Sequence, residues 1–342
     1  MHSTVNSTYT EQLVLNETLF IPDLKFSTLL VEGDDAKQFL QGQVTVNVNK
    51  LSADCGALAA CVNLQGRTQV SFFILPQDKK YLLVVPKNYA KKFVKTLKMY
   101  VLRANVVITD VSNLWKIYAF SGKNSGMIVN DLMAATDIHS FQMWNMRYLE
   151  NDTESRFALR LPGIIQHWLI IDKNIEDFHQ QSHTIAQRLS VALLDSTEAI
   201  WNYINLSAGL LLIDAELTDQ WIPLELHYDK FGAVDFDKGC YRGQEIIARI
   251  HFRGQLKQQL AFFKITHSEY NFSETIYSKE SGWKIITEVN PEKNHTIGNV
   301  IINFNIAENY WIAAMIKKID FSQAWLIGES TPEKKYMLEL LS

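Results

Sequence analysis

The chain has little of what would staple it, anchor it in a bilayer or draw it to a polyanion. Its three cysteines, odd in number and widely spaced over 342 residues, give neither a disulfide framework nor a zinc-ligand set and suit a reducing compartment. No apolar run reaches the length of a membrane span; the most apolar stretches, 72–76 and 82–86, are strand-sized. The polar leader at 1–11 has neither a basic start nor an apolar core, so no secretory signal is expected there. An excess of one charge is also missing. Against 33 basic residues stand 37 acidic ones, a net of −4, so no global field draws the chain to nucleic acid. Any RNA contact is expected to be local or indirect. Glycine loops of the P-loop or dinucleotide kind are absent, and ATP and NAD are not expected. His167, His227 and His251 show no ligand spacing with one another or with nearby acids, so no metal site is expected. The expectation is a cytoplasmic protein without a membrane partner.

What is present is an ordinary globular composition, 47% hydrophobic and 20% charged, in a chain long enough for two or three cores. Strand-like apolar runs fall within 20–31 and at 55–62, 68–75, 81–85, 106–109, 114–120, 155–161 and 167–171. Between them come helical patterns. Asp34 and Asp35 open a short one carrying Ala36, Phe39 and Leu40. Pro86 precedes a second, with Ala90, Phe93, Val94 and Leu97 as its buried stripe and Lys91, Lys92, Lys95 and Lys98 as its solvated face. Further helices are expected near 126–135, within 185–193, and over 196–208 with Ser196 as its cap. Paired strands with interspersed helices read as α+β. From about residue 258 the pattern changes to alternating segments at 260–265, 283–287, 297–302 and 310–315, separated by polar turns. That predicts a separate small β-barrel or sandwich, dividing the chain into 1–255 and 256–342.

The most informative run is Lys238-Gly-Cys-Tyr-Arg-Gly-Gln-Glu245. It reads as a loop entering a helix that carries Ile246, Ile247, Ile250 and Phe252. Gly239 and Gly243 supply backbone freedom or close approach. Cys240, just before a helix N-terminus and between Lys238 and Arg242, stands where thiolate is favoured over thiol. It is either a reactive thiol or a small residue between tight turns, and the flanking charges favour the first. Arg242, Arg249 and Arg253 fall seven and four apart, so on one helix they share a face that either holds an anion or is simply solvated. Glu245 either pairs with Arg249 or caps the helix start. Tyr241 is a ligand-stacking or a core tyrosine. Cys55 and Cys61, in apolar strand-like sequence, read as core residues, so this chain alone lacks the thiolates to hold a cluster.

The signature, with its continuation through Arg249 to Arg253-Gly254, resembles that of the YgfZ family, bacterial relatives of the glycine-cleavage T protein. Three further blocks strengthen the resemblance: Phe39-Leu-Gln-Gly-Gln-Val-Thr45, Ala59-Ala-Cys-Val-Asn-Leu-Gln-Gly-Arg67, and the helix and turn from Trp201 to Asp214. The resemblance implies a three-lobed, aminomethyltransferase-like folate-binding fold with a C-terminal antiparallel β-barrel. It also implies tetrahydrofolate as ligand and a role in assembling or repairing iron–sulfur enzymes, such as a tRNA methylthiotransferase. Two aromatic folate contacts carry over, onto Trp201 and, as a phenyl ring, onto Phe26. Lys238, Gly239, Tyr241, Arg242, Gly243, Gln244, Glu245, Arg249 and Arg253 complete the expected folate-binding set, with Cys240 as its key side chain.

This chain departs from the family pattern in places. The family's P-Q-E-L-N-L-D is here Pro223-Leu-Glu-Leu-His-Tyr-Asp229, and T-N-D or T-A-D is Thr45-Val-Asn47. T proteins also carry an acidic pair after a glycine-rich turn, to handle the amine and folate nitrogen. Here Val70 and Ser71 stand in its place. A folate-dependent one-carbon transferase or demethylase is therefore the alternative reading, and typical aminomethyl transfer is not expected.

Overall fold

The structure is a computed structural model that describes residues 14–135, 141–149, 152–163, 165–173, 177–265, 276–277, 283–290, 293–306, 309–317, 323–327 and 335–341. The polar leader at 1–11 lies outside the described residues.

Two sheets and a barrel form three lobes. The first sheet is antiparallel, in the order Ala57–Val62, Thr68–Gln77, Lys80–Pro86, Phe26–Glu32, Val107–Asp110. Its apolar strands are covered on both faces, which is why they read as continuous runs. Leu58, Phe73, Leu82 and Val84 face the central core, whereas Ala59, Phe72, Leu83 and Val85 face the other way. On that outer side lie helices α1 (Ala36–Gln43) and α2 (Lys87–Lys98), contributing Phe39, Leu40, Phe93 and Leu97. Each such side chain stabilises the lobe by about 1.5–3 kcal/mol on burial.

The second sheet runs Leu193–Asp195, Thr18–Ile21, Lys116–Gly122, His167–Asp172, Asp152–Arg160, Met146–Leu149, with only the first pair parallel. Helices α3 (Ser125–Leu132) and α4 (Phe178–Arg188) cover its outer face through Ile128, Val129, Phe178 and Ile185. Its inner face shares one core with the first sheet, with helix α5 (Glu198–Ser207) and with the segment that follows α5.

Two boundaries differ from the sequence reading. Helix α4 begins at Phe178, because Phe178, Ser182, Ile185 and Ala186 are its buried stripe and polar residues fill the rest. It ends before Ser190, which takes a left-handed φ of 56°, and Leu193 enters the edge strand beside Thr18. The N-cap of α5 is Thr197 and not Ser196; its side chain makes no capping bond.

The C-terminal region resolves to a barrel. Strands Gln258–Ile265, Asn309–Lys317, Lys293–Ile306, Lys284–Asn290, Ala324–Ile327 and Tyr336–Leu340 close into an antiparallel ring. One wall packs on α5, where Tyr203 meets Trp311 with ring centroids 4.6 Å apart.

Candidate functional site

A cavity of about 990 Å³ opens where the three lobes meet. Helix α5 lines it with Glu198, Trp201, Asn202 and Asn205; the start of strand Phe26–Glu32 adds Phe26, and Pro86, Lys87 and Asn88 bring in the first turn of α2. The segment after α5 adds Leu210, Asp214 and Glu216, and the barrel adds Ile302. Phe26 and Trp201 stand edge to face, centroids 6.0 Å apart at 81°. One helical turn beyond Trp201, Asn205 is almost wholly buried and donates from Nδ2 to the Trp201 carbonyl at 2.8 Å.

His167 backs the indole, its ring centroid 4.9 Å away. It is fully buried, and its Nδ1 lies 2.5 Å from Ser121 Oγ. Burial first, and the Arg160 charge second, push its pKa down to about 3, so the ring is neutral. The mouth is polar. Lys25 pairs with Glu198 at 2.7 Å, and Asn88 Nδ2 donates to Asp214 Oδ2 at 2.9 Å.

The signature run lies elsewhere, as a brace on the first lobe. The Lys238 ammonium is buried and donates to the carbonyls of Val44, at 2.5 Å, and Val46, at 2.8 Å, at the end of the Phe39–Thr45 block and just past it. Desolvation lowers its pKa to about 8, against the pull of Asp235 and Cys61. Thr45 Oγ1 donates to Ala233 O at 2.6 Å and accepts from Ala60 N, so two of the family-like blocks and the segment leading into the signature meet at one threonine. Gly243 takes φ 76°, and a Cβ there would come within 2.3 Å of the Asn63 carbonyl in the Ala59–Arg67 block. Asn47, where the family has an acid, accepts from Asn49 N and caps the next turn.

Helix α6 (Gln244–Arg253) starts after this brace. Arg242 precedes it, so the three arginines do not share a helix. Arg242 instead donates to Tyr100 Oη and Gln69 Oε1. Arg249 and Arg253 are exposed, and among the described residues no ion pair joins Glu245 to Arg249; Glu245 sits in the first turn, where a carboxylate suits the helix dipole. Tyr241 is a core tyrosine with the Lys238 ammonium 4.8 Å from its ring centre, and burial drives its pKa up to about 12. Cys240 is exposed at the apex of the brace. The flanking cations are turned inward, and the thiol they face is Cys61, which burial nonetheless raises to about 12.

Of the expected folate contacts, Phe26 and Trp201 line the cavity; Lys238, Gly239, Tyr241, Arg242, Gly243, Gln244, Glu245, Arg249 and Arg253 do not, nor does Cys240. Asn202, Asn205, Asp214 and the mouth lysines Lys25 and Lys87 were not singled out from the sequence. Helical spacing from Trp201 points to Asn205, and Asn202 adjoins Trp201 on the same helix; Lys25, Lys87 and Asp214 come from other segments whose return to the cavity has no local signal. Leu224 is buried outside the cavity lining, and His227 takes φ 60°, a conformation that suits the asparagine it replaces. Ser71 is built into the core: its Oγ accepts from Ile213 N at 2.7 Å and bonds the Tyr228 hydroxyl at 2.8 Å.

Among the described residues one cluster with metal-ligand geometry exists, on residues the sequence reading did not weigh. His179, His183 and Asp195 converge on the second lobe. The spacing of four is visible in the sequence, but the third partner comes from a separate strand.

The fold is that of an aminomethyltransferase. It is similar to the glycine cleavage system aminomethyltransferase T from Bartonella henselae, with a TM-score of 0.74 over 98% of this chain and 88% of that one at 13% identity. In sequence the chain is similar to YgfZ proteins. The tRNA-modifying protein YgfZ of Buchnera aphidicola subsp. Acyrthosiphon pisum (strain APS) is 26% identical, covering 75% of this chain and 77% of its own length. That of Vibrio atlanticus (strain LGP32) is 24% identical over 90% of this chain and 86% of its own. No family model matches the chain.

Proposed function

We propose that this protein holds tetrahydrofolate in the central cavity and serves, as an accessory factor, the assembly or repair of iron–sulfur enzymes on which tRNA methylthiolation depends. The observation that carries the reading is the cavity itself, with Phe26 and Trp201 edge to face inside it. A folate fits what is there. The volume lies at the upper end of the roughly 300–1,000 Å³ common for ligand pockets. The Trp201 face suits the flat pterin, and the Asn202 and Asn205 amides suit its polar edge. Lys25 and Lys87 at the mouth suit the carboxylates of a glutamate tail. His167 stays uncharged behind the indole and fixes its tilt without adding a cation to the pocket. When bound, tetrahydrofolate supplies a nitrogen pair able to carry one carbon.

Cys240 is exposed and outside the cavity lining, which supports a role toward the surface of an iron–sulfur partner and not toward the folate ring. The name of the YgfZ relatives supports the tRNA connection. For the transferase alternative, Ser71 is the decisive position: its hydroxyl is consumed by Ile213 and Tyr228 inside the core and offers no base to an amine.

Complementation tests the proposal. In a bacterium lacking its YgfZ-like gene, the wild type is expected to restore methylthiolated tRNA bases, Trp201→Ala to fail, and Cys240→Ala to fail although it still binds folate. Restoration by Cys240→Ala makes the protein a folate-bound scaffold. Failure of soluble wild type overturns the iron–sulfur reading.

A further inference from the structure

Helix α4 presents His179 and His183 one turn apart, on the side facing the edge strand Leu193–Asp195. Asp195, the last residue of that strand, splits its carboxylate between them: His179 Nε2 lies 2.9 Å from Oδ2 and His183 Nε2 3.0 Å from Oδ1. The two rings are 4.5 Å apart, and one ligand atom from each of the three residues falls within 4.8 Å of the others. Phe20 packs against both imidazoles, at 5.5 and 6.4 Å between ring centroids, and limits their rotation. The cluster opens to solvent, with His179 and Asp195 each about half exposed. The central cavity has no part in it.

We propose that His179, His183 and Asp195 form a binding site for a divalent transition-metal ion of the zinc class. Two imidazole nitrogens and one carboxylate oxygen are a donor set that suits such ions and not magnesium, which prefers oxygen and water. On binding, the Nε2 proton that each imidazole donates to the carboxylate is lost, each ring is left with a single proton on Nδ1, the displaced protons pass to solvent, and the freed Nε2 lone pairs go to the ion. The two Nε2···carboxylate contacts are replaced by metal bonds, and water fills the position or positions left open. A site of three protein ligands with an open position is built to accept an outside ligand as well as to clip α4 onto the sheet edge. As hydrogen-bonded pairs on the surface, the same residues contribute little to stability.

The test uses the full chain carrying Cys240→Ser, so that the exposed thiol takes no part. Equilibrium dialysis with zinc chloride is expected to give one ion per chain. His183→Gln and Asp195→Asn are each expected to weaken binding at least tenfold, and magnesium is expected not to compete. Cobalt(II) should show visible absorption bands of an ion with nitrogen ligands and reduced coordination, lost in both variants. Absence of stoichiometric zinc binding, or equal binding by the folded variants, overturns the assignment. Far-ultraviolet circular dichroism of each variant establishes that loss of binding is not loss of fold; both substitutions fall on half-exposed or exposed side chains.

Discussion

The Lys238 ammonium rests on the carbonyl of Val44, 194 positions earlier in the chain, at 2.5 Å. A buried lysine at the head of a cysteine-containing signature invites a catalytic reading, yet two of its hydrogens go to the backbone carbonyls of Val44 and Val46. Lys238→Met keeps the stem and leaves both carbonyls short of that donor. Each loss costs about 1–3 kcal/mol, so a total of about 2–6 kcal/mol is expected in urea denaturation, with folate affinity per folded molecule unchanged.

Gly243 and Gly239 belong to the same run and predict opposite results. Alanine at 243 would be strained at φ 76° and would push into the Asn63 carbonyl; about 1–3 kcal/mol is expected from the backbone conformation alone, with more from the clash. At 239 a Cβ meets nothing within 4 Å, and the change is expected to stay within about 0.5 kcal/mol. Melting temperatures of the two variants check this directly.

Tyr228 and Ser71 are expected to be energetically coupled. Their hydroxyls are 2.8 Å apart, and Tyr228 also donates to the Leu211 carbonyl at 2.6 Å, tying the first sheet to the cavity wall. In a double-mutant cycle with Tyr228→Phe and Ser71→Ala, the coupling is expected at about 0.5–3 kcal/mol. Additive effects would separate the two residues.

The stability of the fold is expected to fall in mild acid because of His167. Its folded pKa, near 3, lies below the unfolded value, so between roughly pH 6.5 and 3 the unfolded chain binds the extra proton. The stabilisation is therefore complete above about pH 6.5 and is lost as pH falls through that window. His167→Gln, which cannot titrate, should flatten the decline in urea midpoint between pH 7.5 and 5. An unchanged slope would mean that His167 contributes nothing to it.

Much of the fold was legible because its strands are covered on both faces. The run Tyr81–Val85 is apolar throughout, since Leu82 and Val84 enter one core and Leu83 and Val85 another. Four of the six barrel strands were legible from simple alternation; Ala324–Ile327 and Tyr336–Leu340, four and five residues long, were not. Helix α4 was displaced by a turn or more because only four of its residues are buried. At the site, Phe26 and Trp201 came from the family resemblance, and Asn205 follows from helical spacing. Asp214 and the mouth lysines did not, because long-range return of the chain decides their place. The signature misled in a specific way: charged residues near a cysteine look like activation, yet the Lys238 side chain points inward, and that direction depends on the partner segment at 44–46.

Direct binding of tetrahydrofolate tests the central claim. Titration under anaerobic, reducing conditions, followed by isothermal calorimetry, should give one site per chain. Trp201→Ala and Phe26→Ala are each expected to weaken it about tenfold or more, corresponding to about 1.4 kcal/mol or more, while the exposed Arg253→Ala leaves it unchanged. Wild type that does not bind, or equal affinity in folded Trp201→Ala, would contradict the assignment of the cavity.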